Sequence, residues 1–207
     1  MGSAVLTGIL NAPAGSDSPF TAFTACVRSE ASAQKLKARF GSHSSRLQIS
    51  FGNWIEVASA GNVVLIGTKP YALKDVLGAP GMGDALRGKL VLSILAGISP
   101  AQILKTLYGD EVSFSDPPCR VVQSTLNLAA RLGQSMTVLN DAALSMPAPE
   151  RAITEWVFSQ IGQVSYLPAN MMAAAATFAA TPAMLSLAVD GLLDGAVAQG
   201  VQRGPAR

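Results

Sequence analysis

The sequence predicts an α/β protein built on a doubly wound parallel sheet and followed by a helical segment. Strand-like and helix-like stretches alternate through most of the chain before Pro168, which is typical of a parallel sheet. The run Val63–Ile66 is apolar without polar alternation, which fits a strand buried on both faces. After Pro168 the pattern changes to one alanine-rich helix from about Asn170 to Gln199. We therefore predict two domains, over residues 1–167 and 168–207.

The first half of the chain gives clear element signals. Ser29 can cap a helix, and the cations near the end of that helix favour its dipole. The predicted elements are a helix over Gly2–Leu10, a loop over residues 13–19, a strand over Thr21–Arg28, a helix over Glu30–Phe40, a strand over Leu47–Phe51 and a helix over Trp54–Ala60. The strand Val63–Ile66 follows them.

The second half continues the alternation. Ser99 and Pro100 supply a capping residue and a proline at the first helical position. The predicted elements are a helix over Tyr71–Leu77, glycine-rich punctuation at GAPGMG, a strand over Lys89–Ile94, a helix from Pro100 to Tyr108, strands over Arg120–Ser124 and Ser135–Leu139, a helix over Pro149–Ile161 and a strand over Gln163–Leu167.

Composition excludes several classes of protein. The net charge of +2 among 207 residues is too small to indicate nucleic acid or an anionic membrane as a partner. Cys26 and Cys119 have no ligand-like neighbours, so we expect buried thiols in the cytoplasm and no metal site. The uncharged stretch Met171–Val189 is long enough for a membrane span, but its alanine content and Pro182 favour a helix buried against protein.

The end of the strand Val63–Ile66 is the first candidate site. Gly67 allows close backbone approach, and Pro70 favours an extended Lys69, so the strand leaves backbone and one cation at its carboxyl edge. Ligands of open α/β sheets bind at that edge. At the end of an earlier strand, Arg28 and Ser29 are the residue types that accept the 2′-phosphate of NADP. Only Gly2 is left to represent the glycine fingerprint of a dinucleotide-binding turn.

Several segments, in order, resemble the pyrroline-5-carboxylate reductase family in its fungal form. They are MGSAVLTGIL, ACVRSE, VVLIGTKPYALKDVLG, KLVLSILAGIS, CRVVQSTLNLAARLGQSMTVL, IGQVSYLP and ATFAATPAMLSLAVDGLLDGAVAQGV. The resemblance spans nearly the whole chain, and it implies a Rossmann-like domain followed by the start of an all-α dimerisation domain. Set against the family, the chain looks truncated at both ends, without the first strand and without the later helices.

The resemblance implies that NADPH reduces the C=N bond of 1-pyrroline-5-carboxylate, or of a related cyclic imino acid, to give proline. It also implies a homo-oligomer that forms through the C-terminal helix. The cofactor contacts carried over from the family are Gly2, Arg28, Ser29, Asn53, Gly67, Thr68, Lys69, Pro70, Ala96 and Gly97. Thr181 carries over as a substrate contact, and no residue is assigned as catalytic.

Departures from the family pattern keep two alternatives open. Gln123-Ser124 replaces the family's Pro-Asn pair, and Phe178 stands near the family's small turn before Thr181-Pro182. These residues could form the reshaped pocket of an imine reductase that acts on a six-membered ring. The second alternative is a non-catalytic homologue that docks on a full-length reductase.

Overall fold

The structure, a computed structural model, describes residues 1–12 and 18–204. The loop predicted over residues 13–19 falls mostly outside these ranges. In chain order the elements are α1 (Gly2–Leu10), β1 (Phe23–Val27), α2 (Glu30–Phe40), β2 (Leu47–Phe51), α3 (Trp54–Ala60), β3 (Val63–Ile66), α4 (Leu73–Leu77), α5 (Met82–Leu86), β4 (Leu90–Ser93), α6 (Pro100–Tyr108), β5 (Arg120–Thr125), β6 (Ser135–Asn140), α7 (Ala148–Ser159), β7 (Gly162–Leu167) and α8 (Met172–Ala198). Sequence did not anticipate α5, which lies within and after the glycine-rich GAPGMG stretch.

The strands form a largely parallel arrangement, which confirms the predicted fold class. β1 pairs with β2 in a two-stranded parallel sheet, and the other five strands form a sheet in the order β3-β4-β5-β6-β7. Within the described residues β1 and β3 do not pair with each other. The sheet is therefore divided between β1 and β3, where the sequence predicts that a family strand is missing.

One strand pair runs against the predicted parallel direction. β5 and β6 are antiparallel, with Ser124 opposite Leu139 and Thr125 opposite Val138. The connection between them holds only residues 126–134, including a short 3-10 helix over Leu128–Leu132. A parallel crossover needs a dozen residues or more, so this connection turns the chain back instead.

The strand β3 is less buried than its apolar sequence predicts. Only Ile66 is fully buried, whereas Val63, Val64 and Leu65 are partly exposed. The expectation of burial on both faces is wrong here because β3 is an edge strand of the five-stranded sheet and pairs only with β4.

The helix α1 connects the two sheets. Its residues Val5 and Ile9 belong to the core that includes Leu92 of β4 and Phe158 of α7. Its last residue, Leu10, packs in a second cluster with Phe40 and Leu47, which belong to α2 and β2. The position of α1, and of the backbone at its first turn, is therefore set by packing on both sheets.

The long helix α8 is mostly exposed, although the sequence predicts it to be buried. Only Met172 and Ala175 are buried, near its first turn. Among the described residues, the segment Ala169–Ala198 alone is long and apolar enough to cross a membrane. Its most apolar stretch of 18 residues has a mean hydropathy of 1.6, and 11% of that stretch is buried. Contacts within one chain therefore leave α8 mostly exposed, although its apolar composition predicts burial.

Both cysteines are free thiols, as the sequence predicts. Cys119 is buried beside β5, and burial raises the pKa of its thiol. Cys26 is only half-buried, at the carboxyl end of β1. The expectation of a buried thiol is therefore confirmed for Cys119 and wrong for Cys26.

Candidate functional site

Residues predicted from the sequence to contact the cofactor lie at the carboxyl ends of β1 to β4. Arg28 follows β1, Asn53 follows β2, the run from Gly67 to Pro70 follows β3, and Ala96 and Gly97 follow β4. The strands within each sheet are parallel here, so their carboxyl ends share one edge. The sequence thus placed these residues correctly along the chain, and their contact with a cofactor remains a prediction.

The backbone of α1 approaches the end of β3 closely at two glycines. A Cβ built on Gly67 would lie 3.5 Å from the Cα of Gly2, and one built on Gly2 would lie 3.9 Å from the Cα of Gly67. Side chains at both positions would fill the space between helix and strand. The two glycines thus let the first turn of α1 lie against the end of β3, and a helix N-terminus at the carboxyl edge of a sheet is where backbone N–H groups bind a diphosphate.

The turn after β3 presents a hydroxyl without a protein partner. The Oγ1 atom of Thr68 is buried and has no hydrogen bond within the described residues. Lys69 is exposed and extended, as expected for a residue before proline, and Pro70 opens a 3-10 turn. A buried hydroxyl normally has a partner, so the Thr68 hydroxyl is suited to a ligand at this edge.

The turn after β1 places a cation and a hydroxyl next to each other. Ser29 caps α2, with its Oγ accepting from the Ser32 backbone N–H at 3.4 Å, as predicted. Arg28 is exposed, and no ion pair or hydrogen bond holds its guanidinium within residues 1–12 and 18–204. The Arg28 side chain is therefore available to an anion, whereas the Ser29 hydroxyl is shared with the helix cap.

The residue after β2 bridges the ends of two strands. The Nδ2 of Asn53 donates to Oε2 of Glu56 at 3.1 Å, and its Oδ1 accepts from the Cys26 thiol at 3.6 Å. These contacts hold the amide beside the end of β1. Asn53 thus contacts β1 one residue before the end of the strand that Arg28 follows.

The ends of β4 and β5 are tied together by buried polar groups. Ser124 donates its hydroxyl to the Ser93 carbonyl oxygen at 2.8 Å, and the Ser93 hydroxyl accepts from the Leu95 backbone N–H. Beyond them the chain turns at Ala96 and Gly97, where Gly97 has a φ of 74°, which favours glycine. The exposed turn therefore follows strand ends that are joined by these buried hydrogen bonds.

The electrostatic environment at the first turn of α1 is positive. Burial lowers the pKa of the Met1 amino group, and the charges of Arg131 and Lys69 lower it further. No carboxylate contributes to this shift. An anion at this point would therefore meet two cationic side chains and the positive end of a helix dipole.

The predicted substrate contact lies apart from the buried part of the fold. Thr181 is half-exposed in α8, beyond Ala175, which is the last buried residue of that helix. Pro182 follows it inside the helix, and the neighbouring Phe178 is 74% exposed. A substrate role for Thr181 remains a prediction.

Two features of this region were not singled out by the sequence as ligand contacts. Arg131 lies in the 3-10 helix after β5, and the only available signal was a cation close to the glycine that ends this turn. Gln123 of β5, which the sequence offers only as a pocket wall, is buried. No group of His, Cys, Asp and Glu side chains suited to a metal occurs in the part of the chain that the structure describes.

Turns at the carboxyl ends of parallel strands, the close approach of Gly2 to Gly67 and the unpaired Thr68 hydroxyl are typical of α/β proteins that bind a dinucleotide at the edge of a sheet. Residues 1–97 match the family model described as NADP oxidoreductase coenzyme F420-dependent. A pyrroline-5-carboxylate reductase of Lophium arboricola is 35% identical over 224 residues, covering 100% of this chain and 70% of the relative. The chain belongs to the pyrroline-5-carboxylate reductase family.

Further comparisons agree with this assignment. The pyrroline-5-carboxylate reductase of Schizosaccharomyces pombe is 32% identical, with 97% of this chain and 71% of the relative covered. The solved reductase from Coxiella burnetii has a similar fold, with a TM-score of 0.76 at 18% identity, over 99% of this chain and 70% of that one. The reductase of Plasmodium falciparum, solved with NADP bound, gives a TM-score of 0.67 at 16% identity, over 90% and 72% of the two chains. The family and fold predictions are therefore confirmed, and NADPH is confirmed as the cofactor at the level of the family.

Proposed function

We propose that this chain is an NADPH-dependent reductase of the C=N bond of 1-pyrroline-5-carboxylate, with proline as the product. The observation that supports it most directly is the close approach of Gly2 in α1 to Gly67 at the end of β3, next to the unpaired hydroxyl of Thr68. These residues fit a dinucleotide because backbone N–H groups and a buried hydroxyl are offered where its phosphates would lie.

The residues of this chain would bind and orient the two reactants. When bound, NADPH would supply the hydride that reduces a C=N bond, and the residues of this chain would hold it in place. Arg28, Ser29 and Asn53 would hold the adenosine end, and Lys69 would neutralise phosphate charge. Gly97, with its bare backbone, would let the nicotinamide half lie close to the turn after β4. Thr181 would donate to the substrate carboxylate.

The direct test is an assay of the purified chain for NADPH oxidation with 1-pyrroline-5-carboxylate, with proline measured as the product. Fluorescence titration with NADPH should be carried out on the same preparation. Binding together with turnover supports the proposal. Binding without turnover would favour a non-catalytic homologue, and the absence of both would contradict the proposed function.

We predict that Arg28→Asp changes the cofactor preference. Loss of a cation that contacts the 2′-phosphate should weaken NADPH binding about 10- to 100-fold, because a hydrogen bond to a charged group is worth about 1.5–3 kcal/mol. NADH binding should be unchanged or stronger, since an acidic residue there suits ribose hydroxyls. The measurement is the ratio of the two dissociation constants.

A matched control for this substitution is Arg87→Asp. Arg87 is also exposed and carries the same charge, but it precedes β4 and so lies at the opposite end of that strand. Its substitution should leave the ratio unchanged. An equal loss of NADPH and NADH binding in Arg28→Asp would show that Arg28 does not contact the 2′-phosphate.

One observation favours a second candidate, the reduction of a six-membered cyclic imine. Gln123 and Ser124, which are both buried in β5, stand where the family has a Pro-Asn pair, and this exchange would reshape the pocket. Parallel assays with five- and six-membered imino acids separate the two candidates. Phe178, the other residue expected to reshape the pocket, is exposed in this structure.

We further propose that the chain forms a homo-oligomer in the cytoplasm through α8. The helix exposes large apolar side chains on several faces, including Phe178, Leu187 and Leu192, which are each about three-quarters exposed. Such a surface in water favours association. Its two acidic residues, Asp190 and Asp194, pair with Arg203 at 2.7 and 2.6 Å, and these charges suit a protein partner better than lipid.

We predict that Leu192→Glu lowers the oligomeric state. A carboxylate in a desolvated helix interface is strongly unfavourable, so the molar mass from light scattering should fall towards that of one 21.3 kDa chain. Leu132→Glu is the control, because Leu132 is 80% exposed but lies outside α8. Co-purification with a full-length reductase, without self-association, would instead support the docking alternative.

A further inference from the structure

The first turn of α1 offers donors that the protein itself does not use. The backbone N–H groups of Ala4 and Val5 donate to the Met1 carbonyl, but those of Gly2 and Ser3 have no acceptor among the described residues. Met1 provides no side-chain cap, and the first turn holds no acidic residue. The positive end of this nine-residue helix is therefore uncompensated by protein groups.

Gly2, which carries one of the unused donors, lies close to the end of β3, and a second observation there points to a ligand. Gly67 is so close to Gly2 that a Cβ on it would touch the helix backbone at 3.5 Å. The next residue, Thr68, has a fully buried hydroxyl oxygen without a partner in the described residues. Lys69 follows directly. The unpartnered hydroxyl of Thr68 and the cation Lys69 therefore directly follow the residue that contacts the first turn of α1.

A second cation lies on an element that packs against α1. Arg131 lies in the 3-10 helix Leu128–Leu132, which packs against α1 and contributes Ala130 to the core that also holds Ala4 and Val5. The guanidinium of Arg131 is exposed and makes no ion pair or hydrogen bond within residues 1–12 and 18–204. The charges of Arg131 and Lys69 both reach the Met1 nitrogen.

We propose that Arg131, together with Lys69, binds the diphosphate of the dinucleotide cofactor and so positions the cofactor at the first turn of α1. Two cations near a helix N-terminus repel each other, and a diphosphate relieves that repulsion while accepting from the free N–H groups. This assignment rests on the proposed binding of NADPH.

The test compares Arg131→Gln and Arg131→Lys with the unchanged chain by calorimetric titration. The ligands are NADPH, ADP-ribose, inorganic pyrophosphate and adenosine 2′-monophosphate, which lacks the diphosphate. Arg131→Gln should weaken the first three about 10- to 100-fold and leave the last unchanged. Arg131→Lys should restore most of the affinity, because lysine keeps the charge.

Further outcomes separate a binding role from a structural one. Arg87→Gln, a matched loss of one exposed arginine before β4, should change none of the four affinities. Equal weakening of all four ligands in Arg131→Gln, or a fall in its melting temperature with no ligand selectivity, would overturn the assignment. If the unchanged chain binds pyrophosphate but not NADPH, the proposal that NADPH is the cofactor is contradicted, whereas the anion site is supported. The absence of both would refute the two proposals together.

Discussion

Phe158→Ala should destabilise the protein by about 3–5 kcal/mol, the usual cost of deleting a buried aromatic ring. Phe158 lies on α7 and is completely buried, in the same core as Val5 and Ile9 of α1 and Leu139 of β6. Its removal leaves a cavity where a helix and two sheets meet. Because typical domains have about 5–15 kcal/mol of stability in total, a large part of it would be lost.

The measurement is urea denaturation followed by circular dichroism. Phe114→Ala is the matched control, since Phe114 is 51% exposed between α6 and β5 and its deletion should cost little. The same core holds α1 in place, so Phe158→Ala should also weaken NADPH binding. A midpoint close to that of Phe114→Ala would contradict the central position given to Phe158.

Gly162→Ala should have the second largest effect, and we expect it to lower the free energy of unfolding by roughly 2–4 kcal/mol. Gly162 begins β7 with a φ of 142°, which L residues rarely adopt. A Cβ there would also collide with the backbone oxygen and nitrogen of Ser135, its partner on β6. The start of the β6–β7 pair would have to separate.

Thermal unfolding of Gly162→Ala beside Gly41→Ala measures this effect. Gly41 has a negative φ of −56°, and no atom lies within 4 Å of a Cβ built on it. The control should therefore be neutral or slightly stabilising, since alanine restricts the unfolded chain. Equal melting temperatures for the two variants would mean that β7 can shift without cost.

Local sequence signals predicted the elements well wherever the chain itself supplies the physical cause. Ser99 and Gln102 form a complete capping box at the start of α6, at 3.2 and 2.8 Å, where the serine-proline pair predicts a helix start. Ser29 caps α2 as expected. In contrast, α5 was missed because its glycines mask a helix that is stabilised by burial of Met82 and Leu86.

The candidate site was predicted in part. The turn residues after β1 to β4 could be located because a strand end is a local property of the sequence. Arg131 could not, because its nearness to the first turn of α1 depends on how the 3-10 helix after β5 packs on α1, across more than 110 residues of chain.

The sequence alone determined the family, the order of helices and strands, and which residues stand at strand ends, because periodicity, caps and motifs are carried by neighbouring residues. Only the tertiary structure decided that β5 and β6 run antiparallel, that β3 is an edge strand, and that α8 stays exposed. These outcomes depend on which surfaces find a partner in space. That choice is made by burial and hydrogen bonding between distant segments, and no local pattern encodes it.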